Sequence, residues 1–286
     1  MQEVAIGTAR RLDAIKQRLD YEFEFLKEEG INIKTREINR GNLKFLGCSL
    51  QRAGRDRFSP EDATAIMKQF IANALSDVIV NDLERGIVRT IIRNDHAYLT
   101  KEDQEKLYDQ VMKIMNGEVE GRKDLFFKMY RKNKILGKIL EYLESNRELV
   151  LEGFVRFRLK DYKEELEETV DRVAEDFLIE REYSEFVKLL KYYVELQPPV
   201  IDEIHVLPES GGKYALVDCN GMPIHSIPND VTITGPDGEL EYGDLLISAL
   251  VTLAPRTVIV HTQPEKLEEA TLNILTEVFA ERLRFI

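Results

Sequence analysis

The sequence predicts a mostly helical α+β fold: a central helical bundle flanked by N-terminal and C-terminal α/β modules. Three observations carry that prediction. Residues 1–58 switch between strand-like alternation and helical periodicity. Between Lys101 and Gln197 there is no proline, and nothing alternates with period two over any length. Beyond Pro198-Pro199 the pattern turns to short β-rich runs separated by Gly, Pro and Asn. At 286 residues, 43% hydrophobic and 32% charged, the composition is globular rather than disordered or collagen-like, and it supports a core without disulfides or metal.

VAIGT reads as a strand, with Thr8 placed to cap the helix that follows. From Leu12 the positions Ile15, Leu19, Phe23 and Leu26 form one helical face, and Gly30 can end it in a left-handed turn. INIKTREI and LKFLGCSL flank Asn39-Arg40-Gly41-Asn42, a tetrapeptide suited to a hairpin. Ser59-Pro60-Glu61-Asp62 is a strong helix start: a cap, a proline at the first helical position, and two acids at the positive end of the dipole. Its broad apolar stripe, including Met67, Ile71, Leu75 and Val78, fits a central bundle position. Thr100 opens another helix that Asn116-Gly117 closes. A third is expected over 123–143 and a fourth over 149–196. The fourth exceeds the usual length, so breaks are expected near Glu152-Gly153 and Glu180–Tyr183. After the prolines, VIDEIHVL, KYALVD, MPIH and VTIT read as strands. A helix over 242–253, a strand over 257–261, a helix over 264–280 and the strand RLRFI complete the chain. The expected segments are therefore 1–58, 59–197 and 198–286.

The longest apolar stretch tested, LLISALVTLAP, is far shorter than the roughly 20 residues of a membrane span. MQEVAIGTARRL lacks the apolar run of a signal peptide, and Cys48 and Cys219 cannot form a disulfide framework. The expectation is a cytoplasmic protein with reduced thiols and no membrane span.

The net charge is −12, yet residues 121–138 carry seven basic side chains opposed only by Asp124. On a helix, Lys123, Arg131, Lys134 and Lys138 share a face and could track phosphates, as could Arg52, Arg55 and Arg57 in the QRAGRDRF loop. The overall charge steers nucleic acid away, which favours an ordinary solvated face or one that meets an acidic ridge. Asp161, Glu164, Glu168, Asp171 and Glu175 form such a ridge. Di-metal carboxylate bundles need Glu-x-x-His pairs, and no histidine lies between Ala97 and Ile204, so no metal site is expected.

Among the four histidines His261 is the best catalytic candidate, because it closes a strand and ligands of open α/β sheets bind at strand carboxyl ends. Asp218, Cys219 and His225 lie close together around an Asn220-Gly221 turn, although six residues of hairpin do not aim a Cys–His dyad. His261, Asp218 and His225 are the residues an enzyme would use here. Ser210-Gly211-Gly212-Lys213 matches S-x-x-K but sits between strands instead of opening a helix, and is read as a turn. There is no P-loop, dinucleotide fingerprint, H-E-x-x-H, C-x-x-C or G-x-S-x-G, and no cofactor is expected.

GFVRFRLKDYKEELEETVDRVAEDFLIEREYSEFVKLLKYYVELQPP, residues 153–199, resembles the YtxC-like sporulation proteins of endospore-forming bacteria. Its FRLKDY core and its EYSEFVKLLKYYVE end are the specific parts, and the similarity extends over nearly the whole chain. The resemblance implies a cytoplasmic protein connected with endospore formation and brings no catalytic residues. With the absent motifs, it favours a non-enzymatic interaction or regulatory protein with a protein partner or a second copy of itself. Phe186, Leu189, Leu190, Tyr193 and Val194 would offer a docking face if they do not face the core.

Overall fold

A computed structural model of the chain describes residues 3–52, 58–119, 122–123, 126–209, 213–224, 234–235, 238–239 and 242–286. The chain forms two compact units, 1–177 and 178–286. Its architecture is mostly helical α+β, as the periodicities predict.

In the first unit, β1 (Glu3–Thr8) pairs antiparallel with β3 (Leu43–Arg52), which pairs with β2 (Asn32–Arg40). The β2–β3 turn needs Gly41, whose φ of +60° is costly for any residue with a Cβ. Between β1 and β2 runs α1 (Leu12–Glu28), which buries the predicted Ile15, Leu19, Phe23 and Leu26. Thr8 does not cap α1 itself. Its hydroxyl accepts the amides of Arg10 and Arg11 and donates to Glu152 at 2.6 Å.

Helix α2 (Pro60–Val78) starts with a full capping box: Ser59 Oγ accepts the Asp62 amide at 3.0 Å, and the Asp62 carboxylate accepts the Ser59 amide at 3.3 Å. Ser59→Ala should therefore cost about 1 kcal/mol in urea denaturation. A loss below a few tenths would mean that Pro60 and the two acids suffice. A π turn, Ile79–Leu83, leads from α2 into α3 (Glu84–Asp95). The 60–95 run is long and apolar enough to cross a membrane by length and composition, but 61% of its apolar window is buried inside the protein. Packing in a core accounts for that apolarity.

Helix α4 (Lys101–Met115) is followed by two short antiparallel strands, β4 (Glu118–Val119) and β5 (Arg122–Lys123), and by α5 (Phe126–Ser145). The short strand β6 (Glu148–Val150) then pairs parallel to β1, giving the sheet order β2-β3-β1-β6. Three residues are too few for alternation to register, and this strand places residues of the two expected segments 1–58 and 59–197 on one sheet. Helix α6 (Leu151–Arg158) is separated from α7 (Lys160–Leu196) at Leu159, where ψ of 38° leaves the helical region. The expected breaks near Glu152-Gly153 and Glu180–Tyr183 are absent: α6 and α7 run through them.

In the second unit, β7 (Glu203–Pro208) pairs antiparallel with β8 (Tyr214–Asp218). The described residues of MPIH, 222–224, contribute a bridge at Pro223, and of VTIT only the start of β9 (Thr234–Gly235) is described, paired with β10 (Gly238–Glu239). Helix α8 (Tyr242–Leu253), β11 (Thr257–Val260), α9 (Glu269–Phe279) and β12 (Leu283–Phe285) complete a sheet of order β12-β11-β7-β8. Strands β7, β11 and β12 are parallel. Ile204, Val206, Val258 and Val260 face a core shared with Leu246 and Leu250 of α8, Leu275 and Phe279 of α9, and Val187 and Val194 of α7. Helices α8 and α9 approach closely at Gly243, where a Cβ would clash with Thr271 Oγ1.

Candidate functional site

Alternation decides which side chains leave the second unit's core. With Ile204, Val206, Val258 and Val260 turned inward, Glu203 and His205 of β7 share the other face with Ile259 and the residue two positions on, His261. The β7–β11 register sets Ile259 against His205, and the His261 amide donates to the Val206 carbonyl at 2.9 Å. Side chains therefore meet across the strands: His205 Nδ1 lies 2.7 Å from His261 Nε2, and His205 Nε2 lies 3.1 Å from Glu203 Oε1.

The carboxylate of Glu203 accepts only, so His205 carries its hydrogen on Nε2. In neutral His205, Nδ1 is then an acceptor, and the hydrogen between the rings belongs to His261 Nε2. The uncommitted ring nitrogen of this chain of three is His261 Nδ1. His261 also lines a cleft of about 550 Å³ with Glu209, Lys213, Tyr214, Gln263 and Lys266. The cleft opens at the carboxyl ends of β7, β11 and β12, the edge at which open α/β sheets bind ligands.

Asp218 is placed at the end of β8, where Oδ1 accepts the amides of Asn220 and Met222 at 2.8 Å each. The Met222 amide bond is the chief reason that its carboxyl is held below the ordinary range, with a smaller contribution from His205. Its role is thus to close the turn. His225 lies outside the described residues, as do Arg55 and Arg57, and the side chains of Arg52 and Lys123 are likewise not described. Cys48 is buried, which pushes its thiol up to about 12, whereas Cys219 is exposed.

The basic island meets acids of this chain. Arg131 forks onto Glu84 at 3.0 and 3.1 Å, Lys132 reaches Asp77 at 2.8 Å, Lys134 bonds Glu165, and Lys138 lies 3.8 Å from Asp161. Tyr162 donates its hydroxyl to the same Glu84 carboxylate. On the acidic ridge, Asp171 bonds His96 Nε2 at 3.1 Å. Among the described residues no group of three or more His, Cys, Asp or Glu is arranged to hold a metal ion.

A cleft of about 670 Å³ in the first unit, between α3, α6 and the start of α7, carries rim charges of both signs. Arg11, Asp95, Arg156 and Glu164 together select no ligand class.

The C-terminal half of α7 divides its apolar residues between two faces. Val187 and Val194 are buried in the second unit's core with Leu190 beside them, whereas Phe186, Leu189 and Tyr193 are at least half exposed. Ile179 and Leu196 extend the exposed set, at 67% and 65% exposed. Ile179, Phe186 and Tyr193 recur at seven, and Leu189 and Leu196 follow the last two by three, which is the a/d spacing of a coiled-coil seam.

The model of the YtxC-like family matches residues 69–284, which takes in α7, the histidine pair and most of the helical unit. The chain belongs to the YtxC-like family. It is 23% identical over 199 residues to the uncharacterized protein YtxC of Bacillus subtilis (strain 168), a match covering 69% of each chain. No solved structure matches.

For this YtxC-like chain, sequence reasoning singled out His261 but not the two residues that hold it. A signal for them exists. Glu203 and His205 are two apart in EIHVL, so a strand there places them on one face. Their meeting with His261 depends on the β7–β11 register, which no local pattern carries. Similarly, the ridge at 161–175 and the island at 121–138 were visible as charges, whereas their pairing required the helices to be packed.

Proposed function

We propose that this YtxC-like chain is a non-enzymatic interaction protein of the sporulation programme, and that the exposed stripe of α7 takes a second copy of the chain. The observation that carries the reading is the heptad-spaced set Ile179, Phe186, Leu189, Tyr193 and Leu196, turned away from a core that its neighbours Val187 and Val194 fill. A contiguous apolar stripe on a charged protein marks an interaction surface, and a/d spacing fits a helix as its occupant.

Charge selects the second copy. Residues 180–186 carry Glu180, Glu182 and Glu185 against Arg181, while 187–194 carry only Lys188 and Lys191. Two α7 helices crossing antiparallel near Phe186 set the acidic segment of each beside the basic segment of the other, the self-complementary arrangement of a two-fold dimer. Connection with spore formation rests on the family resemblance.

Sedimentation velocity tests the pairing. The wild-type chain should sediment as a dimer, and Phe186→Glu/Leu189→Glu as a monomer of unchanged helicity. A wild-type monomer up to its solubility limit would overturn self-pairing. In sporulating cells the same double variant should lower heat-resistant spore counts to the level of a deletion. Equal counts for deletion and wild type would remove the sporulation reading.

A further inference from the structure

We propose that the cleft between α3, α6 and the start of α7 binds an uncharged, largely apolar small molecule that carries a hydrogen-bond donor, with Glu152 accepting from that donor. The lining residues all fall between Arg11 and Glu167, so the site does not depend on what the C-terminal half of α7 docks.

Size and charge set the ligand class. At about 670 Å³ the cleft lies in the range of small-molecule sites, which are mostly apolar with a few placed polar groups. Ile91, Leu159 and Tyr162 line it as buried residues, and Leu83, Ile87 and Val155 as half-buried ones. The Tyr162 hydroxyl is committed to Glu84, which leaves its ring to the lining. Four basic and four acidic side chains also line the cleft, so no net charge draws an ion of either sign. Two of them, Lys163 and Glu167, already pair with each other at 2.6 Å. What the wall offers an occupant is apolar area, and the occupant that gains from it is uncharged.

A glycine keeps the space open. Gly86 lies inside the helical run 60–95, where glycine is the least favourable residue after proline. Its φ is not positive, and a Cβ built on it meets no atom within 4 Å, so neither a turn nor close packing calls for glycine there. Its position on the cleft does, since a side chain would take up ligand space. Leu83, the last residue of the π turn, lines the same cleft, and π turns inside helices recur at functional sites.

A buried oxygen asks for the donor. Glu152 reaches from α6 to the segment before α1, where Oε1 accepts the Thr8 hydroxyl at 2.6 Å and the Ala9 amide at 3.1 Å. Its other oxygen, Oε2, is buried and has no hydrogen-bond partner. A carboxylate only accepts, and a buried acceptor left unpaired is costly, so the group that completes it brings an N–H or an O–H. The last torsion of glutamate is soft, which lets the carboxylate turn Oε2 toward the cleft while Oε1 keeps its donors.

Fluorescence titration of the full chain with N-phenyl-1-naphthylamine tests this. The probe is uncharged and apolar, carries a single N–H, and brightens on leaving water. It should bind saturably, one molecule per chain. Its N-methyl derivative, which has no donor, should bind about tenfold more weakly. Glu152→Gln keeps an acceptor for Thr8 and Ala9 and puts a donor amide in place of the unpaired oxygen. It should weaken the parent probe about tenfold and leave the N-methyl derivative as it was, a difference that a merely structural Glu152 would not give. Gly86→Trp should weaken both probes by about tenfold or more, because the indole takes the ligand's place. Circular dichroism of each variant separates loss of the site from loss of the fold. Three results would each overturn the proposal: no saturable binding to the wild-type chain, equal affinity for the two probes, or full binding by a folded Gly86→Trp chain. Loss of binding in Phe186→Glu/Leu189→Glu would do the same, by placing the probe on the exposed stripe of α7.

Discussion

Glu84→Ala should destabilise the first unit by about 3 kcal/mol, because it strands a largely desolvated guanidinium. Glu84 is 1% exposed and Arg131 12%, so the carboxylate has no water to fall back on and the guanidinium little. The carboxylate accepts both Arg131 nitrogens and the Tyr162 hydroxyl, three donors that alanine would leave without an acceptor. Tyr162 stays neutral throughout, since burial first and the Glu84 charge second push its phenol up. The control is the double replacement Glu84→Met/Arg131→Met, which removes both charges and should recover most of the loss. Urea denaturation followed by far-ultraviolet circular dichroism reads both. A single variant within 1 kcal/mol of wild type would show that the pair is not desolvated as its burial implies.

Phe279→Ala should cost about 3–5 kcal/mol in the second unit. Phe279 ends α9 with 1% exposure and packs in the cluster that includes Val206, Val258 and Val260. Those valines are the inward neighbours of His205 and His261 on the same strands, so a cavity beneath them loosens the register that brings the imidazoles together. The expected signature is therefore double: a lower unfolding midpoint and loss of distinct imidazole nitrogen resonances for His205 and His261. Phe279→Leu, which fills more of the space, should cost less and keep the resonances. If Phe279→Ala unfolds like wild type, the helix layer does not set the strand positions.

The sequence carried the helices further than the sheets, and the reason is range. Ser59 to Asp62 form a capping box within four residues, and Leu12 to Leu26 place five buried apolar side chains at helical spacing. Such signals are complete within one turn or two. Strand β6 is invisible in this way, because Glu148–Val150 becomes a strand only by lying against Ala5, Ile6 and Gly7. The break in the long helical region shows the opposite error. Gly153 and the 180–183 segment look weak locally, yet tertiary packing keeps them helical, while Leu159, a good helix former, sits at the interruption.

The candidate site was legible in part. His261 follows from one histidine at the end of one strand, and its cleft lies at the edge where that reasoning puts ligands. Asp218 stands out as a polar residue near a turn, and a carboxylate that accepts two turn amides looks the same in sequence as one aimed at a substrate.

By itself the sequence determined the helical majority, the β-rich ends, the membership signalled by residues 153–199, and which segments carry charge or apolar surface. Those properties are sums over neighbours along the chain, and local periodicity and composition suffice to set them. Only the tertiary structure decided that Arg131 forks onto the buried Glu84, that Val187 and Leu189 part to opposite environments, and that His205 stands 2.7 Å from His261. Each depends on strand register or helix packing between residues tens of positions apart, where the energy lies in contacts that exist only once both partners are in place.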